Sequence, residues 1–261
     1  MPELPDIEVF SRNLKNIFNG SKLLKIKVIN GKKLVDKPKD LSKSFAGGML
    51  TDIFRSGKEM RFQFDNGNIL GMHLMLTGDI FLFEKKNERK STIVEFYFDN
   101  GKNLALTDRM KNARVKLNPG NKEGVDALDK KLNFKYLKKL LNRKAKIKSI
   151  LLNQDLIRGI GNGYSDEILW ESKISPFSIA NAIPDEKIKE LATTIKRVLK
   201  RATNRIFKNH PGLIQGEIKF YHRIHTKLKE KSPTGAPIKI EQKGMMKTYY
   251  TDEQVVYGGS K

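Results

Sequence analysis

Between residues 5 and 19 the apolar positions Ile7, Phe10, Leu14, Ile17 and Phe18 recur at helical spacing, which predicts an amphipathic helix. Pro5 suits its first turn, and Gly20 suits the position just past its end. Beyond Gly20 the period changes to two: Leu24, Ile26 and Val28 alternate with Lys25 and Lys27, as in a half-buried strand. Asp65-Asn66-Gly67 and Asp99-Asn100-Gly101 each lie between strand-like runs and predict tight hairpins. Residues 1–116 therefore read as a mostly antiparallel β domain led by one helix.

Residues 117–132 are rich in Asn, Gly, Lys and Asp and read as a linker. The helical period then returns over Phe134–Leu141, Ile147–Leu152 and Tyr164–Trp170. A longer helix follows Pro184, with its stripe at Ile188, Leu191, Ile195, Val198, Leu199, Ala202 and Ile206. Pro237–Ile240 and Thr248–Val256, joined around Lys243-Gly244, predict a terminal β-hairpin. The organisation is thus a β domain over 1–116, a linker over 117–132, a helical domain over 133–222 and a hairpin over 223–261.

Charge narrows the function. The chain has 261 residues, with 51 Lys and Arg against 29 Asp and Glu, a formal charge of +22 spread along its length. A folded protein this basic calls for a polyanionic partner, above all nucleic acid. No apolar run approaches the roughly 18 residues of a membrane helix, and the acid- and proline-bearing start resembles neither a signal nor a transit peptide. A soluble, intracellular protein is expected, cytoplasmic and nucleoid-associated, or nuclear in a eukaryote. The absence of cysteine excludes disulfides and thiolate zinc sites, and the four histidines show no metal spacing. No metal and no cofactor are expected.

Three segments carry candidate chemistry. Removal of Met1 would leave Pro2 as a secondary amine, able to condense with C1′ of a deoxyribose, displace the base and acidify the sugar for elimination. The positive end of the following helix disfavours protonation of that amine, and Glu3 beside it could move protons on the sugar. The bland alternative is that Pro2 and Pro5 only start a helix. Arg55-Ser56-Gly57-Lys58 interrupts a strand pattern, so a glycine turn presents Lys58 at a sheet edge; an ordinary basic hairpin reads the same way. Residues 151–164 read as helix, glycine-rich double turn, helix, with the second helix starting at Asn162, whose side chain and neighbouring backbone amides make a phosphate site. A plain helical corner is the alternative there.

Together these segments resemble the formamidopyrimidine-DNA glycosylase / endonuclease VIII family of base-excision repair. Pro2-Glu3-Leu4-Pro5-Asp6-Ile7-Glu8 is similar to its N-terminal signature, Gly57-Lys58 falls at its β-hairpin lysine, and Asp155–Pro176 is similar to its helix–two-turn–helix. The resemblance implies an α+β fold: an N-terminal antiparallel β-sandwich led by a helix, then a helical domain with the helix–two-turn–helix and a zincless β-hairpin finger. It implies a monomeric, bifunctional glycosylase and apurinic-site lyase acting on damaged DNA, with no membrane partner, cutting by β,δ-elimination. Pro2 is then the Schiff-base nucleophile, Glu3 the acid/base on the deoxyribose, Lys58 a phosphate contact that supports catalysis, and Asn162 a phosphate ligand. A family member that binds damage with little or no turnover is the alternative.

The departures from the family pattern are equally specific. Its four zinc cysteines align best with Lys231, Thr234, Thr251 and Gln254, and its finger arginine with Met246, leaving Lys243 or Lys247 to compensate. Its arginine and phenylalanine wedges are absent from Asp108-Arg109-Met110-Lys111-Asn112-Ala113, while Leu76 aligns with its methionine wedge. Leu76, Lys111 and Lys247 are accordingly expected to contact DNA. The stretch around Gly212–Gly216 is short, so no lid over a purine is expected. These features predict poor discrimination of the opposite base and a preference for oxidised pyrimidines or hydantoins over 8-oxoguanine, with good use of single-stranded, bubble or abasic DNA.

Overall fold

A computed structural model gives the fold; it describes residues 1–120 and 122–258. The chain divides into two units, one formed by 1–121 with 206–217 and the other by 122–205 with 218–261. Each is described separately.

The first unit opens with helix α1 (Leu4–Phe18), whose Ile7, Phe10, Leu14 and Phe18 are all buried as the spacing requires. Strand β1 (Leu23–Val28), helix α2 (Pro38–Phe45) and strands β2 (Leu50–Ser56), β3 (Glu59–Phe64), β4 (Ile69–His73), β5 (Gly78–Phe83), β6 (Thr92–Phe98), β7 (Asn103–Asp108) and β8 (Arg114–Leu117) follow. They form two antiparallel four-stranded sheets, ordered β1-β6-β7-β5 and β2-β3-β4-β8. Both predicted Asp-Asn-Gly turns join neighbouring strands, β3 to β4 and β6 to β7. One apolar cluster holds the unit together. It takes Phe10 and Phe18 from α1, Phe62 and Met72 from one sheet, and Phe96 and Leu106 from the other. At about 25 cal/mol per Å² of apolar surface, burial of such aromatic and aliphatic side chains is the dominant stabilising term. Phe18 and Phe98 stack at 4.4 Å between ring centroids, joining helix to sheet.

The second unit is helical with a terminal hairpin. It comprises β9 (Val125–Asp126), α3 (Phe134–Leu141), α4 (Ile147–Leu152), β10 (Ile157–Arg158), α5 (Asn162–Glu171), α6 (Asp185–Asn209), β11 (Lys239–Lys243) and β12 (Met246–Tyr250). The last turn of α6 groups with the first unit. No helix among the described residues is long and apolar enough to cross a membrane.

Three expectations need correction. The supposed linker contains β9, which pairs in parallel with β10 through Val125 and Ile157; a Cβ on Gly124 would meet the Gln154 carbonyl at 2.6 Å, so only glycine lets these backbones approach. Asn121 of that stretch lies outside the described residues, as do 259–261 of the hairpin segment. Residues 206–217, expected within the helical domain, belong with the β unit because Ile214 packs into its core. The first hairpin strand starts two residues later than expected, and the second is shorter and starts earlier. Ile238 is drawn back by donating to the Glu230 carbonyl, and Val255 bonds the backbone of Lys173 and Ser175 in place of a strand partner.

Candidate active site

Glu3 sits at the start of α1, where its backbone N–H donates to the Asp6 carboxylate at 3.0 Å. This bond satisfies a helix-start donor and fixes the chain direction at Pro2 and Glu3, both of which are buried. The turn between β2 and β3 comes to the same place electrostatically. Gly57 has φ +62°, a conformation that favours glycine, so the chain reverses within two residues and Lys58 follows directly. Arg55 braces that turn, donating to the Gly57 carbonyl at 3.0 Å and to Glu8 of α1 at 3.0 Å.

Lys58 follows the glycine turn at the β2–β3 edge, but it is buried there, only 9% exposed. Burial pushes its pKa below the ordinary lysine value, and the negative charge of Glu3 opposes that shift. Pro2, Glu3 and Lys58 thus form one buried group, with an ammonium readier than usual to release its proton.

Leu76 and Lys111 lie at the ends of β4 and β7, on loops held by a single residue that sequence reasoning quoted but gave no role. The buried carboxylate of Asp108 accepts backbone N–H bonds from Met110 (3.0 Å), Asn112 (2.7 Å) and Ala113 (2.8 Å), and a hydroxyl bond from Thr77. Burial alone would raise its pKa, but the hydrogen bonds from Thr77, Ala113, Asn112 and Met110 outweigh it and hold the group below the usual carboxylate range. Leu76 is left 58% exposed beside this knot, and Lys111 is exposed at φ +56°. The signal was an Asp opening a turn, a position where a short carboxylate collects backbone donors.

In the second unit Gln154 ties the double turn before α5. Its amide donates to the carbonyls of Leu152 (2.9 Å) and Ile160 (2.8 Å), and its oxygen accepts from the Gly159 N–H at 3.0 Å. The helix starts at Asn162 as expected, but the Asn162 side chain donates to the Lys247 carbonyl at 2.9 Å. Further along β12, Lys148 of α4 bonds the Thr248 hydroxyl at 2.9 Å and pairs with Asp166 at 2.6 Å. Asp166, 1% exposed, also accepts from the Tyr249 N–H at 2.9 Å and lies 2.7 Å from the His225 ring. Three successive hairpin residues are therefore tied to α4 and α5. Asn162 and Lys247 are brought together, whereas Leu76 and Lys111 belong to the other unit.

Comparison with known proteins places this geometry. The profile described as formamidopyrimidine-DNA glycosylase N-terminal domain matches residues 1–115, and that of the H2TH domain of the same enzyme matches 124–208. The chain belongs to the formamidopyrimidine-DNA glycosylase family. It is thereby a DNA glycosylase of the base-excision repair type. Its relatives include the formamidopyrimidine-DNA glycosylases of Lactobacillus gasseri, 33% identical over 78% of each chain, and Pediococcus pentosaceus, 30% identical over 94% of this chain and 96% of that one. Among solved structures, the wild-type Lactococcus lactis enzyme in complex with DNA containing an oxidised pyrimidine is 25% identical, with a TM-score of 0.86 over 97% of this chain and 99% of that one. A complex of that enzyme with THF-DNA and an inhibitor gives 0.87 at 25% identity over 97% and 100%.

The family's zinc finger has a different anchor in this member. Thr234 and Thr251 converge on the carboxylate of Glu253, which no motif singled out. Glu253 accepts from Lys173 (2.8 Å), Thr234 (2.7 Å), Thr251 (3.1 Å), Ser232 (3.2 Å) and the Trp170 indole N–H (3.2 Å). The Lys173 bond foremost, with those of Thr234, Trp170 and Thr251, draws its pKa down to about 2 against the effect of burial. Gln254 accepts from the Thr251 N–H and donates to the Ile174 carbonyl, while Lys231 pairs with Pro237. Hydroxyls aimed at a carboxylate and an amide engaged with backbone groups do not fit zinc, and the described residues hold no cluster of three or more His, Cys, Asp or Glu suited to a metal.

Proposed function

We propose that this glycosylase also acts as an apurinic-site lyase, through a Schiff base at the amine of Pro2. The buried Pro2–Glu3–Lys58 group is the observation that carries the reading. Pro2 nitrogen attacks C1′ and the bond to the base breaks; Glu3 protonates O4′ as the ring opens to the iminium; elimination then cuts the strand. The burial of Lys58 and its coupling to Glu3 support a part in these proton movements more than a simple phosphate contact. Asn162, Lys111 and Lys247 supply phosphate contacts, and Leu76, exposed beside the Asp108 knot, fills the gap left by the extruded nucleotide. Borohydride should trap wild-type protein on an abasic-site duplex, and an N-terminal block or Pro2→Gly should abolish or reroute trapping. No wild-type adduct at all would refute the reading.

Met110 and Asn112 offer neither a charge nor a ring to the orphaned base, and the loop at Gly212–Gly216 is short. These features support a preference for oxidised pyrimidines and hydantoins over 8-oxoguanine, and easy use of single-stranded or bubble DNA, where unstacking costs least. The oxidised-pyrimidine complex of the Lactococcus lactis relative is in keeping with this. A panel of lesions opposite all four bases and in single strands checks it; fast 8-oxoguanine removal confined to pairs with cytosine would count against it. The bacterial relatives support a cytoplasmic, nucleoid-associated place of action.

A further inference from the structure

The N-terminal amine of the chain has a carboxylate partner far away in sequence. The Met1 ammonium donates to Glu217 Oε2 at 3.0 Å, across 216 positions, with both side chains partly buried. The segment carrying Glu217 is firmly held within the first unit. Asn13 of α1 donates to the Leu213 carbonyl at 2.7 Å, Ile214 is buried in the core, and the Gly216 N–H donates to Asp79 at 2.9 Å. Gly216, at φ +83°, then turns the chain so that the next side chain reaches the N-terminus.

We propose that Glu217 is the base that serves the nucleophilic amine. The assignment rests on the reading of Pro2 as that nucleophile. Successive backbone nitrogens lie no more than about 3.8 Å apart, so a carboxylate bonded to the Met1 amine reaches that of Pro2 by a small side-chain adjustment once Met1 is removed. As Pro2 nitrogen bonds to C1′, the C1′–base bond breaks with its electron pair leaving on the base, which takes a proton from solvent; the amine proton passes to Glu217. Glu3 is then reserved for O4′. The amine pairs with Glu217 on the loop; Glu3, at the start of α1, bonds Asp6 through its N–H and interacts with Lys58 of the β2–β3 turn. Asp79, with Arg89 nearby, lies behind the loop.

The test is single-turnover borohydride trapping on an abasic-site duplex from about pH 5 to about pH 9, with full-length protein whose N-terminus is Pro2 by mass spectrometry. Glu217→Gln should lower the plateau rate roughly 100-fold. It should also move the acid limb to lower pH, because the amine loses a neighbouring negative charge, and leave duplex affinity within about twofold. Glu217→Asp should keep the limb and lose part of the rate, and it decides the matter if the Gln variant does not fold. A purely structural role would lower melting temperature and affinity while leaving the limb in place. Wild-type rate and limb in the Gln variant, or a displaced limb in the Asp variant, would overturn the assignment. Absence of a wild-type adduct is a separate result, which removes the Pro2 nucleophile itself and this assignment with it.

Discussion

At the start of the first unit, Pro2 and Glu3 are buried at the beginning of α1, and Lys58 of the β2–β3 turn is buried as well. At the hairpin of the second unit, none of the family's thiolates remains, yet the strands still stand in an antiparallel ladder from Lys239–Tyr250 to Lys243–Met246. The difference separates two kinds of requirement. A nucleophile, an acid and a charged partner are needed as particular atoms with particular proton affinities. An anchor needs only enough directed bonds to outweigh chain entropy, and five donors on one carboxylate supply those as a metal does.

Substitutions at the two places should therefore fail differently. The largest effect is expected at the first. Glu3→Gln should slow base release and strand cutting by roughly 10²- to 10⁴-fold under single turnover, and Lys58→Met by a smaller factor, with binding to abasic duplex largely kept. Parallel losses of affinity and rate would show that these residues only hold the helix start.

Glu253→Ala should act on stability and binding. Loss of the hub is expected to cost about 1–3 kcal/mol in denaturant unfolding, since its buried donors lose their acceptor, and to weaken duplex binding while sparing the saturated trapping rate. Chelator should change neither quantity in the wild type. The hub should also be acid-sensitive. Its folded pKa of about 2 lies below the ordinary carboxylate value of 4.5, so its contribution is full above the ordinary value and is lost as pH falls toward about 2. Melting temperature against pH should be flatter over that window in Glu253→Gln than in the wild type.

The smallest effects concern the basic side chains of each unit. With a net charge of +22, affinity should fall steeply with salt, each neutralised phosphate adding about 0.9 to the slope of log K against log salt. Lys111→Ala should reduce that slope by about 1 and weaken all sequences alike. Asn162→Ala should weaken binding with little change in slope, because it removes no charge.

Much of this was legible in the chain because it is local. The α1 stripe, the two Asp-Asn-Gly turns and the start of α5 at Asn162 follow from spacing and turn chemistry alone. The candidate nucleophile and its two neighbours stand in short motifs that can be read from the chain alone. What escaped is long-range. Glu253 gathers donors from residues as far back as Trp170, and Glu217 meets Met1 across nearly the whole chain; no periodicity reports such a meeting. The hairpin ends were misplaced because Val255 and Val256 read as strand, yet Val255 is taken by backbone partners beside α5. The burial of Lys58 was not legible either, because the Arg55 brace of its turn reaches a carboxylate on another element.

A chain without cysteine has nothing on the ladder from sulfenic to sulfonic acid. The hub at Glu253 holds the hairpin with carboxylate, hydroxyl, ammonium and indole groups, and it has no thiolate for peroxide to attack. The oxidants that damage DNA bases should therefore leave this anchor intact. The exposed sulfur that remains on the hairpin is at Met245, fully exposed at its tip, and Met246 beside it, where conversion to the sulfoxide would touch the surface of the finger and not its footing.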